Sequence, residues 1–158
     1  MSKSNNSTER VLKKAQDLGL AINIERMPAS TRTAQEAATA CNCDIAQIVK
    51  SLVFTGKNSG ELKLFLVSGA HQIDPAKAES TLGEGLLRAD PKTVRLISGF
   101  AIGGVAPIAH LQPIETWFDK TLLDFERVWA AAGAPNAVFA IDPRKLLTAT
   151  GAKCLQVQ

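Results

Sequence analysis

The chain has 158 residues, 46% of them apolar, and its 18 basic against 15 acidic side chains leave a net charge of +3. That length and apolar share suit one globular domain with a real core, and so mild a charge excludes a protein that coats nucleic acid by bulk electrostatics. Any RNA contact has to be local.

Three cysteines, Cys41 and Cys43 in a C-x-C and Cys154 far away, make neither a disulfide framework nor a zinc ligand set, which fits a reducing, cytoplasmic setting. The opening MSKSNNSTER lacks the apolar stretch of a signal peptide, and nothing later approaches ~18 uninterrupted apolar residues. The expectation is a protein neither exported nor membrane-spanning, with residues 1–7 as a flexible tail.

In chain order, TERVLKKAQDL (8–18) sets Val11, Leu12, Ala15 and Leu18 on one helical face, with Gly19 to close the helix. Ile22 and Ile24 alternate with polar neighbours as in a half-buried strand. Thr33 and Glu36 stand at capping-box spacing before a small-residue helix with Ala34, Ala37, Ala38 and Cys41 inward. Asp44 and Gln47 repeat that signal for a short helical turn, after which SLVFT and ELKLFLV form a hairpin around GKNSG. The second strand, apolar on both faces, reads as central.

Asp74-Pro75 and Asp90-Pro91 each combine an N-cap with a first-turn proline, predicting helices over 75–82 and 91–98, the second ended by Gly99. IETWF, ERVWA and AVFAI are three strand-like runs, and Asp142-Pro143 starts a last helix closed by Gly151. Strands and helices mix without strict alternation, which predicts an α+β (mixed α/β) domain with a largely antiparallel sheet flanked by helices. No repeat or linker divides residues 1–158.

Lys50 interrupts an otherwise apolar run, DIAQIVKSLVF. It reads either as a lysine that snorkels to water or as a cation in a cleft floor, holding an anionic ligand group with Ser51 adding a neutral hydrogen bond. In GFAIGGVAPIAH (99–110), Gly103-Gly104 reads either as a tight turn or as a nest of converging N–H groups able to serve as an oxyanion hole. His110, three residues beyond Pro107, reads either as polar loop surface or as a group that reaches a substrate, whereas His71 has no assigned role. Cys41 and Cys43 read as buried small residues and not as catalysts. Trp117 and Trp129 read as core. No metal-ligand set, P-loop or dinucleotide fingerprint is present.

RTAQEAA, the lysine of QIVKSLVF, the VSG of 67–69, the SGFAIGGVAP loop and the VWAAAG strand end together resemble the YbaK/ProX family, freestanding relatives of the editing domain of bacterial prolyl-tRNA synthetases. The resemblance runs from about residue 20 to the end. It implies a YbaK-like fold and a trans-editing aminoacyl-tRNA deacylase that needs neither metal nor cofactor. Its partner would be the acceptor end of a mischarged tRNA, tRNA-Pro in particular, with prolyl-tRNA synthetase as a second candidate and no membrane.

By the same resemblance, Lys50 is the essential lysine that positions the substrate's 3′ end. Gly103, Gly104, Val105 and Pro107 form the G-x-x-x-P loop whose amides face the ester carbonyl. Arg32, Thr33, Ser51, Ser68, Gly69, Ile102, His110 and Ala131 are the expected substrate contacts. Two departures matter: Ala131 and Val138 stand where cysteinyl-tRNA-clearing members carry polar side chains, and Ser51 stands where the alanyl-specific branch has asparagine. They point to an apolar pocket for alanine, 2-aminobutyrate, serine or threonine. A non-catalytic module that binds aminoacyl-tRNA or a synthetase, and a domain binding a free amino acid or nucleotide, are the alternatives.

Overall fold

A computed structural model describes residues 3–28, 31 and 33–158, with the side chains of 3–5 outside the description. Helix α1 (Lys3–Asp17) begins inside the stretch expected to be a tail. Its buried stripe is narrower than the periodicity suggested: Val11 and Ala15 are fully buried, while Leu12 and Leu18 are exposed. Strand β1 (Ile24–Arg26) follows, then α2 (Ala34–Cys41) with the Thr33–Glu36 capping box formed in both directions. A 3-10 turn (Ile45–Gln47) capped reciprocally by Asp44 and Gln47 leads into β2 (Val49–Gly56), which returns through β3 (Leu62–Ser68).

Helices α3 (Pro75–Leu82) and α4 (Pro91–Ser98) occupy the predicted ranges, each with an aspartate cap, a first-turn proline and a left-handed glycine at the end. The remaining elements are β4 (Leu86–Arg88), β5 (Glu115–Asp119), a 3-10 turn (Lys120–Asp124), β6 (Val128–Ala131), β7 (Ala137–Ile141), α5 (Pro143–Thr150) and β8 (Lys153–Leu155). The short β4 and β8 and the 120–124 turn carry no strong local pattern and were not anticipated. Three-residue strands exist because a neighbour's ladder recruits them, not because their own sequence demands it.

The strands divide into two sheets, where one was expected. The larger has the order β4-β2-β3-β5-β8, and the smaller is β1-β7-β6. Pairing is antiparallel throughout the smaller sheet and between β2 and its neighbours, but β3–β5 and β5–β8 are parallel. As its two-sided apolar pattern predicts, β3 is central and all seven of its residues are buried. The main core lies between the sheets, with Leu64, Leu66, Phe118, Phe139 and Phe100 among its buried members, and a second cluster around Phe65, Val67 and Trp117 covers the opposite face of the larger sheet. Among the described residues no helix is long and apolar enough to cross a membrane.

Two features of this frame create the site. β4 pairs with β2 only over Phe54–Gly56, so the first half of β2 has a free edge. An isolated parallel bridge between Ile48 and Trp129 then draws β6 toward that edge. The space left between them is a cleft.

Candidate active site

The cleft is a cavity of about 330 Å³. Along one side run Val49, Lys50, Ser51 and Leu52 of β2; opposite are Trp129, Ala130 and Ala131 of β6 with Val138 of β7. Ala34 and Ala37 of α2 close one end with Thr31 and Thr33, and Ile102, Gly103 and Val105 close another. Small side chains on α2 and β6 make this hollow, since larger ones there would fill it. The walls are mostly apolar, with Lys50 and a few hydroxyl-bearing residues among them, the usual make-up of a small-ligand pocket.

Lys50 lies on the face of β2 that carries Leu52 and Phe54, opposite Val67 of β3 in register. Its ammonium donates to the main-chain carbonyl of His71. Burial pushes its pKa below the ordinary lysine range, and the nearby Asp119 carboxylate pulls it part of the way back. An ammonium has three donors, so one bond to His71 leaves two for a ligand. Ser51 lies on the other face; its Oγ is enclosed and has no hydrogen-bond partner among the described residues.

The glycine loop is braced at its base. Ser98, wholly buried, receives the N–H of Phe100 on its Oγ (3.0 Å) and donates to Val94 O (2.6 Å). Arg10 of α1 reaches across to donate from Nε to Ala109 O (3.0 Å) and from Nη2 to Ser98 O (3.3 Å), with its guanidinium 4.4 Å from the Phe100 ring centre. Between these anchors Gly103 adopts φ +91°, a left-handed conformation that favours glycine, and Gly104 N–H turns back to Ala101 O (3.0 Å). Among the described residues no backbone carbonyl takes up the N–H of Gly103, Val105 or Ala106, although Val105 and Ala106 are buried. Gly103 itself is exposed, so its N–H is open to an incoming acceptor.

Of the residues singled out in the sequence, Lys50, Thr33, Ser51, Ile102, Gly103, Val105 and Ala131 come together around this one cavity. Gly104 sits just behind it, against Ala134. Ser68 and Gly69 do not line it. Ser68 donates from Oγ to Ala46 O (2.8 Å) and Gly69 N–H bonds Ile48 O (2.7 Å), so both tie the end of β3 to the 45–47 turn.

Pro107 and His110 face a different cavity, on the α1 side of the loop. The His110 ring is turned inward, donating from Nε2 to Ala106 O (2.8 Å), and burial holds its pKa below the usual histidine value. Arg32 lies outside the described residues. Cys41 and Cys43 are only partly buried, and burial raises both thiols, Cys41 to about 11. Thiols so reluctant to ionise are poor nucleophiles.

Three participants went unrecognised in the sequence. Trp129, expected in the core, forms part of the cavity wall. His71, given no role, supplies the carbonyl that holds Lys50. Asp119 receives the Nδ1–H of His71 (2.9 Å) and is 1% exposed. The only local trace of it was D-x-T spacing at a turn, which says nothing about a lysine 69 positions earlier.

The two-sheet α+β architecture recurs in solved structures. A candidate trans-editing enzyme for prolyl tRNA synthetase is 44% identical, with a TM-score of 0.89 over 96% of this chain and 96% of the other. A protein from work on epitope backbone grafting by computational design onto scaffold proteins is 42% identical, with a TM-score of 0.89 over 96% and 97% of the two chains. A hypothetical protein is 28% identical, with a TM-score of 0.85 over 94% and 98%. The profile of the aminoacyl-tRNA editing domain matches residues 28–149. The chain belongs to that family, the one its motifs resemble.

Proposed function

We propose that this protein is a trans-editing aminoacyl-tRNA deacylase, acting without a metal on tRNA-Pro that carries a small wrong amino acid: alanine, 2-aminobutyrate, serine or threonine. The observation that carries this reading is the shared cavity, with Lys50 in one wall and Gly103 and Val105, whose N–H groups meet no backbone carbonyl among the described residues, in another. Its volume of about 330 Å³ lies at the small end for ligand sites, enough for a short aminoacyl group and part of a ribose. The apolar surfaces of Ala131 and Val138 favour an uncharged side chain there.

The chemistry needs no protein nucleophile, because an aminoacyl ester is already activated. Loop N–H groups bond the ester carbonyl oxygen and stabilise the negative charge that develops on it. Water adds to the carbonyl carbon, the C–O bond to the ribose breaks, and the departing oxygen takes up a proton, leaving free amino acid and intact tRNA. Lys50, with two donors to spare, steers the anionic 3′ end so that the ester meets the bend. Mild net charge suits an enzyme that grips only the acceptor end.

The test is a panel of mischarged tRNAs incubated with purified protein. Release of at least one small amino acid above solvent hydrolysis, abolished by Lys50→Ala, is expected. Binding of aminoacyl-tRNA at low salt with no release from any member would replace this reading with a non-catalytic recognition module.

A further inference from the structure

Behind Lys50 lies a group that the proposed chemistry does not use. Asp119, at the end of β5, is almost fully buried yet receives four donors. Its Oδ1 accepts Thr121 N–H (3.0 Å) and Thr121 Oγ1–H (2.8 Å). Its Oδ2 accepts Ser68 N–H (3.0 Å) and His71 Nδ1–H (2.9 Å). Two of the four come from the last residue of β3 and the loop that follows it, and that loop turns back on the strand end through His71 N–H to Ser68 O (2.9 Å). The carbonyl of the same His71 holds the Lys50 ammonium.

Capping a short 3-10 turn would need only a hydroxyl or an amide. A charge buried for that purpose alone is expensive, whereas a charge that faces a partly desolvated ammonium has a use. The ionisable groups associated with Lys50 are Asp119 and His71; around the cavity the other polar lining residues, Thr31, Thr33 and Ser51, are neutral.

We propose that Asp119 and His71 are positioning residues for Lys50: the buried carboxylate clamps the 68–71 loop through the His71 ring, the loop's carbonyl fixes the ammonium, and the negative charge behind it balances the cation. The catalytic value of this arrangement rests on the deacylase reading, but the arrangement itself can be measured without any substrate. Removing the charge leaves burial unopposed, so Lys50 should lose its proton at lower pH.

The test is NMR titration of side-chain-labelled lysine in the full chain, with the Lys50 signal assigned through Lys50→Arg, beside pH profiles of kcat/KM. Asp119→Asn, nearly isosteric, should lower the Lys50 midpoint by about half a pH unit or more and shift the alkaline limb of activity equally. His71→Ala should cut kcat/KM by about tenfold through misplacement of the ammonium, and His71→Asn, which keeps a side-chain donor for Asp119, should recover most of it. A Lys50 midpoint unmoved in Asp119→Asn, with activity reduced evenly at every pH, would overturn the proposal and leave Asp119 a structural anchor. If Asp119→Asn does not fold, the His71 pair decides: equal losses in Ala and Asn variants with an unmoved Lys50 midpoint overturn it. Wild-type protein inert on every tRNA would sink the deacylase reading alone, since the Lys50 titration still reports on the clamp.

Discussion

Ala131 and Val138 are directly opposed across the β6–β7 ladder, and both line the cavity. On the deacylase reading, this pair is the one that sets the width available to a substrate side chain. Ala131→Val should therefore cost the larger substrates most. Hydrolysis of threonyl or 2-aminobutyryl ester should fall by about tenfold relative to alanyl ester, the discrimination expected when one or two methyl groups no longer fit. Deacylation rates across the same tRNA panel measure this; equal slowing of all members would place the selection elsewhere.

Lys50 should dominate activity and its pH dependence. Lys50→Ala should lose on the order of 100-fold or more in kcat/KM, comparable to removing one preorganised electrostatic contact. Lys50→Arg should not restore it, because a planar fork cannot replace a compact ammonium held by one carbonyl. Since burial lowers the Lys50 pKa, wild-type activity should decline on the alkaline side below the ordinary lysine midpoint, and residual activity of Lys50→Ala should lack that limb. A pH–rate profile flat to the alkaline extreme would count against a charged Lys50.

Two glycines should fail in different ways. A Cβ at Gly69 would sit 2.4 Å from Ile45 O and 3.0 Å from the Ala34 Cβ, against rigid partners. Gly69→Ala should destabilise the fold by roughly 1–3 kcal/mol, seen as a lowered Tm. A Cβ at Gly103 meets nothing within 4 Å, but φ +91° disfavours any side chain. Gly103→Ala should cost only about 1 kcal/mol of stability while reducing kcat, as the loop relaxes and its amides lose their aim. A Tm loss in Gly103→Ala matching that of Gly69→Ala would contradict this division.

His110 makes a stability prediction of definite sign. Its folded pKa lies below its unfolded value, chiefly through burial and less through Arg10. The neutral ring's stabilisation is therefore complete above about pH 6.5 and is lost as acidification passes from there through the folded pKa. His110→Gln, which can still donate to Ala106 O, should show a shallower fall in Tm between neutral and mildly acidic pH. Because the ring faces away from the Lys50 cavity, deacylation near pH 7.5 should stay within about threefold of wild type. Identical acid slopes in the two proteins would remove His110 from the account.

Much of this molecule could be read from local chemistry. The Asp-Pro starts of α3, α4 and α5 and the capping boxes at Thr33 and Asp44 follow from hydrogen bonds spanning two or three residues, and the β2–β3 hairpin from two apolar runs joined by a short loop. Lys50 stood out because an ammonium inside an apolar run demands a reason, and the Gly103 bend because its conformation suits glycine.

What lay beyond the sequence depends on contacts between distant segments. The division into two sheets, the free edge of β2, the turning of His110 into the far side of its loop and the exposure of Trp129 to the cavity follow from which strands meet. So does the path from Lys50 through His71 to Asp119, whose members are 21 and 48 residues apart in successive steps. Local sequence determines where the chain turns, caps and extends, because those interactions close within a few residues. Only packing decided which side chains share a hollow and which carboxylate lies behind a lysine, because burial and charge act through space and not along the chain.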